Sequence, residues 1–350
     1  MANLKHHNTD GTGKHPSQRL WQDLIAEFVE FGGLATNVRC QPCQHGLGLF
    51  PIDTLKPVCI RVPPALLIDT SKLTIRNGYP ELLPEDSVAR HHRQWFNRYQ
   101  KYFGGTPETC QKIDTFERSL RQIPKSSRHI LQTMGLLNLE HRHAESWNEI
   151  IFKQYLRTRS LLYRGQRVLM PIADLINHSP LANPYSTTLG VQVQGVFSNE
   201  VLVRYNETDP LRRFFDYGFA NPEPMAYSYP LVVAMDRKER QQAMPPIVQK
   251  DSKSNDRIID HEHHQQMQPG QRVEAISLHQ DLAGPAHGTW RYSSGDFEDL
   301  YNDVRLMNQH HLQNLLESLS QWHHPFATSL REAIRFQIDA LDRRIRVFVH

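Results

Sequence analysis

The segment PIADLINHS, residues 171–179, determines how this chain is interpreted. It continues an apolar run that begins at Val168. The polar residues Asn177 and His178 follow that run near the end of the segment. Both side chains carry hydrogen-bond donors and acceptors, which need partners wherever the residues are buried. A hydrogen-bonded turn would explain the segment taken alone, so its meaning depends on the sequence around it.

Four other features lie around this segment in a definite order. Upstream are the glycine-containing turn GLG at 46–48, which enters an extended stretch, and TRS at 158–160. Downstream are RYN at 204–206, which ends a strand pattern, and DYGF at 216–219. Small residues such as glycine allow a backbone to approach a ligand closely. No single one of these features is specific for a protein family, but their combination in this order is specific.

The composition indicates a globular protein and excludes several classes. A hydrophobic content of 39% in 350 residues can form the cores of two or three domains of ~100–200 residues each. The net charge of +3 is spread along the chain, whereas a nucleic-acid-binding domain concentrates basic residues on one face. No run approaches the ~20 apolar residues of a membrane helix, so no membrane partner is expected. Four cysteines are too few for a disulfide-built scaffold, which favours a cytoplasmic location.

Hydrophobic periodicity predicts the secondary structure. The apolar spacing predicts a helix over 18–31, a strand over 57–62 and a helical block over 76–158. Strand patterns return from 167 onward, and Leu189 shares a face with Val191 and Val193 in the alternation over 187–197. The remaining predictions are a short hairpin around Gly165, a strand at 201–205, a short helix or turn at 208–217, a polar linker at 248–272 and helices in 304–345.

Common catalytic motifs are absent from the sequence. The GLG turn lacks the third glycine of the dinucleotide fingerprint and precedes a strand pattern, which argues against a Rossmann-type site. There is no P-loop and no Gly-x-Ser-x-Gly elbow. The stretch HEHHQ at 261–265 almost matches a metalloprotease helix, but Gln265 replaces the second ligand. Cys40 and Cys43 have no second matching pair, so no metal site is expected.

The ordered combination resembles the SET-domain protein methyltransferases, most closely the subgroup typified by the Rubisco large-subunit lysine methyltransferase. The resemblance covers about residues 18–230, whereas 231–350 matches only in helical character. It implies an α+β fold in which a long helical insert splits a SET-domain β core and a helical C-terminal domain binds substrate. The implied parts are a disordered tail at 1–16, SET core at 17–75 and 155–230, the insert at 76–154, and the substrate-binding domain at 231–350, which contains the polar linker.

The same resemblance implies transfer of a methyl group from S-adenosylmethionine to a lysine of a protein or peptide substrate. Tyr205 would be the catalytic tyrosine that orients the lysine amine. Thr158, Asp174 and Tyr185 would contact the substrate lysine and the transferred methyl group. The residues implied to bind the cofactor are Gly46, Leu47, Gly48, Arg159, Asn177, His178, Tyr217 and Phe219. Neither a nucleic-acid partner nor a particular oligomeric state is indicated.

The chain departs from the family pattern at two places. His45 precedes the glycine turn where an acidic residue is common, and TDPLRR at 208–213 replaces a pattern of Ser-Asn followed by small and apolar residues. Two alternatives therefore stay open. One is histidine methylation on the same core, although Ala173 stands where that type carries a bulky aromatic residue. The other is a SET-fold protein that binds peptides without catalysis.

Overall fold

Helices and strands are interspersed along the described chain, which confirms the mixed α and β character expected from the sequence. The structure is a computed structural model that describes residues 18–44, 46–76, 79–84, 89–137, 146–206, 208–223, 225–227, 231–232, 272–273, 277–279, 306 and 308–342. The predicted tail at 1–16, His45, and the linker up to residue 271 lie outside these residues. The division of the described residues differs from the predicted domains, whose boundaries remain a prediction.

The helices are α1 Gln18–Glu30, α2 Arg90–Tyr99, α3 Pro107–Arg121, α4 Lys125–Thr133, α5 Trp147–Arg159, α6 Pro210–Tyr217, α7 308–318 and α8 Pro325–Asp342. The strands are β1 Leu34–Thr36, β2 Val38–Cys43, β3 Gly46–Pro51, β4 Val58–Val62, β5 Ile68–Asp69, β6 Leu73–Arg76, β7 Tyr79–Leu82, β8 Ser160–Tyr163, β9 Gln166–Leu169, β10 Asn177–His178, β11 Val191–Gly195, β12 Leu202–Val203, β13 Met225–Tyr227, β14 Leu231–Val232, β15 Arg272–Val273 and β16 Ser277–His279. No helix among the described residues is both long and apolar enough to cross a membrane.

The chain divides into two compact units, and the first comprises the described parts of 1–107, 168–177 and 185–203. Its central sheet has β4 between β1 and β11, all antiparallel, with Ile60 opposite Val193. Helix α1 packs on α2: Phe28 stacks on Trp95, and the Trp95 indole N–H donates to the carbonyl of Leu24 at 2.9 Å. The hairpin β2–β3 pairs Gly46 with Cys43 and Gly48 with Gln41, so the GLG segment predicted as a turn lies within strand β3 and follows the turn.

The second unit comprises the described parts of 108–167, 178–184 and 204–350. Its core is helical and is formed by apolar side chains of α3, α4, α6, α7 and α8, including Leu120, Phe214, Leu315 and Ile334. The turn between β8 and β9 has positive φ at both Arg164 and Gly165, the geometry of a tight hairpin. The hairpin expected around Gly165 is therefore confirmed.

Several element predictions are confirmed and three need correction. Helix α1, strand β4, helix α6 and the two C-terminal helices lie where the patterns placed them. The helical block begins at Arg90 rather than at 76, because β6 and β7 pair as a hairpin up to Leu82. Leu189 is 66% exposed and precedes β11, since Gly190 turns the chain with φ of 99°. Arg272, the last residue of the predicted linker, belongs to β15.

Candidate functional site

The segment 171–179 contains a strained backbone position. Ile172 has φ of 73° and ψ of −52°, a conformation that β-branched residues rarely adopt, and its side chain is fully buried. Strain of this kind persists only where the surroundings hold it, and it is concentrated at functional sites. Two tyrosines of the same unit hold the next residues: Tyr99 donates its hydroxyl hydrogen to Asp174, and Tyr185 donates to the carbonyl of Ala173 at 3.1 Å.

Asn177 lies in the first unit among three hydrogen-bond acceptors. Its Nδ2 donates to Glu200 Oε1 at 2.6 Å and lies 3.3 Å from both the carbonyl oxygen of Leu47 and the Sγ atom of Cys43. Leu47 is 130 residues away in sequence, so the fold brings the GLG segment to Asn177. A carboxylate and a carbonyl beside a side-chain amide favour ligand groups that donate hydrogen bonds or carry positive charge.

Gly48 is buried against the same side chains. A Cβ atom there would lie 2.4 Å from Glu200 Oε1, 3.1 Å from Asn177 Nδ2 and 3.2 Å from Cys43 Sγ. No Cβ atom tolerates the first of these distances, so any other residue would displace Glu200 or Asn177. The close approach of these side chains, and not a positive φ, favours glycine here, although the Glu200 carboxylate ends a flexible side chain and can move.

Two cysteines of strand β2, Cys40 and Cys43, lie near this segment. Burial raises the pKa of Cys40 to about 12, and the neighbouring Cys43 and Asp174 contribute in the same direction. The Cys40 thiol is therefore neutral and a weak ligand or nucleophile. In the described part of the chain, no group of three His, Cys, Asp or Glu side chains is arranged to bind a metal ion.

Four aromatic residues predicted for the site lie together in the second unit. The Tyr205 ring centroid is 5.3 Å from those of His178 and Tyr217, and Phe219 lies 6.0 Å from His178 and 6.1 Å from Tyr217. Tyr205, Tyr217 and Phe219 are half-buried, whereas His178 is buried. The half-buried rings leave part of this aromatic cluster accessible to a ligand.

The hydrogen bonds of His178 define which ring nitrogen carries the proton. The Tyr205 backbone N–H donates to Nδ1 at 3.2 Å, so Nδ1 must be unprotonated. The proton of the neutral ring is therefore on Nε2, which lies 3.0 Å from Glu223 Oε1 and donates to it. Burial lowers the pKa of His178, and although the hydrogen bond to Glu223 opposes this shift, the net direction is downward.

Thr158 and Arg159 end helix α5 in the second unit. The Thr158 hydroxyl donates to the carbonyl of Tyr155 at 2.9 Å, and the Arg159 guanidinium lies 6.0 Å from the Tyr155 ring centroid. A basic residue is favourable at a helix C-terminus. Helix α5 also holds the end of α6, because Gln154 donates to the carbonyl of Asp216 at 2.8 Å. These contacts do not link Arg159 to Tyr205, so the roles expected for Thr158 and Arg159 remain predictions.

Three residues of these clusters were missed by the sequence analysis: Glu200, Arg213 and Glu223. Glu200 and Glu223 are single charged residues outside any motif, and Arg213 ends the TDPLRR segment, which was noted only as a departure from the family pattern. The only sequence signal was weak: Arg213 lies on the apolar side of a helical pattern, next to Phe214 and Phe215. A charged residue among core positions is a candidate for a buried network.

Comparisons with known proteins give one kind of match. No protein-family model matches the chain, and no curated protein matches it either. The solved structures that match include a crystal structure of the SET domain of LSMT bound to lysine and AdoHcy. The two chains are 14% identical, the match covers 93% of this chain and 90% of that chain, and the TM-score is 0.41.

Proposed function

We propose that this protein is an S-adenosylmethionine-dependent protein-lysine N-methyltransferase with a split SET-domain core. The observation that carries the proposal is the environment of the consecutive residues Asn177 and His178. Asn177 lies beside Leu47 and Gly48 of the glycine turn, and His178 lies beside Tyr205. The resemblance to the family lies in the order of the motifs along the sequence, and these spatial contacts are a separate observation.

In this proposal Gly46, Leu47, Gly48 and Asn177 bind the cofactor. The acceptors around Asn177 fit a ligand with an ammonium group and hydroxyl groups, and Glu200 adds the negative charge that His45 does not supply. The absence of a side chain at Gly48 keeps the Glu200 carboxylate against the turn. Glu200 thus compensates for the departure from the family pattern at residue 45.

The remaining cofactor-binding residues of the proposal are Arg159, His178, Tyr217 and Phe219. The guanidinium of Arg159 has the fork geometry that suits a carboxylate. The aromatic rings of Tyr217 and Phe219 offer faces for apolar and cationic groups, since a cation is attracted to the face of an aromatic ring. His178 is engaged through both ring nitrogens, so its contribution comes through its backbone and through the position of Tyr205.

S-adenosylmethionine would supply the methyl group, which passes from the sulfonium sulfur to the lysine nitrogen while the sulfur keeps the bonding electron pair. The lysine amine must be neutral to react, and partial burial lowers the pKa of an amine. The Tyr205 hydroxyl would orient that amine, and Tyr185 and backbone groups near Thr158 and Asp174 would align the alkyl chain. Correct alignment of a nucleophile supplies a large part of such a rate enhancement. Solvent can accept the proton released by the amine.

The test is methyl transfer from labelled S-adenosylmethionine to the proteins of a cell lysate, followed by hydrolysis and amino-acid analysis. We expect labelled methyl-lysine. Tyr205→Phe should reduce the initial rate more than tenfold, a change of about 1.4 kcal/mol in the barrier, with a smaller change in cofactor affinity. Tyr102→Phe is the matched control, because it removes a hydroxyl from a residue that is 38% exposed in the other unit.

Each other outcome has a distinct meaning. Labelled methyl-histidine would overturn the lysine assignment and favour the histidine alternative. No labelled protein, together with measurable cofactor binding, would argue against catalysis on these substrates. An unchanged rate in Tyr205→Phe would contradict the role given to Tyr205.

A further inference from the structure

Arg213 is a fully buried cation in the first turn of helix α6. This is an unfavourable place for a positive charge, since burial removes its hydration and the helix N-terminus carries partial positive charge. A buried charge is tolerated when it is paired and fully hydrogen-bonded. The partners of Arg213 therefore explain why the chain has this residue in a segment where the resembled family has small and apolar residues.

The guanidinium group makes three hydrogen bonds within the second unit. Its Nε donates to Glu223 Oε1 at 3.0 Å, one terminal nitrogen donates to Asn206 Oδ1 at 2.7 Å, and the other donates to the Asn206 carbonyl at 2.9 Å. Its Cζ also lies 5.3 Å from the ring centroid of Tyr217. The Glu223 side chain is 2% exposed, so the ion pair is shielded from solvent on both sides.

Glu223 connects Arg213 to His178. Its Oε1 accepts from both the Arg213 guanidinium and the His178 Nε2–H, each at 3.0 Å. The bond to Glu223 holds the His178 proton on Nε2 and leaves Nδ1 free to accept the Tyr205 backbone N–H. The network thus begins at the N–H of Tyr205 and ends at the carbonyl of Asn206, so it fixes the backbone on both sides of the Tyr205 carbonyl.

We propose that Arg213 and Glu223 are positioning residues that hold Tyr205 in the orientation in which its hydroxyl meets the substrate amine. The proposal rests on the proposed function for the role of Tyr205. The geometry of the network itself does not depend on that function, and neither Arg213 nor Glu223 touches the reacting atoms in this proposal.

The test observes Tyr205 directly by NMR. Protein labelled with ¹³C at the tyrosine ζ carbon gives a Tyr205 signal that is assigned from its loss in Tyr205→Phe, and ¹⁵N-labelled histidine reports the tautomer of His178. In Glu223→Gln we expect a displaced or doubled Tyr205 signal and a mixture of His178 tautomers. The matched control is Glu332→Gln, the same chemical change on the exposed face of α8, which should leave both signals unchanged.

A kinetic measurement completes the test. At saturating S-adenosylmethionine, the initial rate of methyl transfer to lysate protein should fall at least tenfold in Glu223→Gln and remain unchanged in Glu332→Gln. If Glu223→Gln does not fold, the double variant Arg213→Met/Glu223→Gln is measured in the same way, because removing both charges avoids leaving one buried and unpaired.

The outcomes separate this proposal from the proposed function. A folded Glu223→Gln or double variant with an unchanged Tyr205 signal would overturn the positioning role, whatever the activity of the enzyme. If the Tyr205 signal is displaced in the variant but the wild-type protein transfers no methyl group, the positioning role of Arg213 and Glu223 is supported and the methyltransferase assignment is refuted.

Discussion

At the scale of single residues, His178 links protonation to stability. Burial lowers its pKa below the ordinary value of 6.5. The unfolded chain therefore takes up a proton before the folded chain does. The contribution of His178 to the free energy of unfolding is fully present above pH 6.5, and it is lost as the pH falls from there toward the lower folded pKa. Glu223, Arg213 and Arg204 are the charged groups that influence this titration.

We predict that stability measured by urea unfolding declines over this range, and that His178→Gln removes part of the decline. The glutamine amide can still donate to Glu223 in the place of Nε2, but glutamine does not titrate. His92 and His311, whose pKa values burial also lowers, contribute slopes of the same sign, so the difference between wild type and variant is the quantity to measure. Identical pH dependence in the two proteins would show that His178 is not the titrating group.

The residue scale also shows why the sequence predicted some contacts and missed others. Asn177 and Tyr205 belong to motifs whose order along the chain resembles a family, so their neighbours could be anticipated. Glu200, Arg213 and Glu223 belong to none, and no periodicity indicates that Glu223 meets a histidine 45 positions earlier. Contacts of this kind depend on how loops are placed, and that placement comes from the packing of the whole unit.

At the scale of elements, helix α6 is specified by its ends. Asp209 is the N-cap residue, and its carboxylate accepts the backbone N–H of Arg212 at 2.7 Å. Pro210 follows at the first helical position, and Gly218 ends the helix with φ of 82°. This arrangement of an acidic cap, proline and a terminal glycine is visible in the sequence, which is why the helix was predictable.

We predict that Asp209→Ala lowers the free energy of unfolding by about 1 kcal/mol, because it removes the cap and a negative charge from the helix N-terminus. Asp209→Asn is the matched control, since its side-chain oxygen can still accept the hydrogen bond. Urea unfolding of the three proteins gives the comparison. If the alanine variant is as stable as the asparagine variant, the cap does not stabilise α6.

Two elements were predicted less well for identifiable reasons. The dipeptide Asn77-Gly78 is a strong hairpin signal in the sequence. The helical block was nevertheless predicted to begin at 76, although its helical spacing of apolar residues starts only at Trp95. The alternation around Leu189 is real, but a Cβ at Gly190 would lie 2.2 Å from the carbonyl oxygen of Val62, so the chain turns there. Alternation indicates a strand without indicating its first residue.

At the scale of the whole molecule, the two compact units are not continuous in sequence. One of the boundaries between them falls at the peptide bond joining Asn177 and His178, within the segment 171–179. Patterns of hydrophobicity describe neighbours along the chain, so the expectation that the region of 168–177 groups with the N-terminal part came only from the family resemblance, which placed 155–230 with 17–75.

A ligand that binds only the folded state stabilises it, by about 2.7 kcal/mol at a concentration one hundred times its Kd. We therefore expect saturating S-adenosylmethionine or S-adenosylhomocysteine to raise the melting temperature by about 5 °C. Adenosine, which lacks the amino-acid part, should have a smaller effect. Asn177→Ala should lose most of the shift, because it removes the amide bonded to Glu200. A wild-type protein whose melting temperature does not respond to either cofactor form would instead support a peptide-binding protein without catalysis.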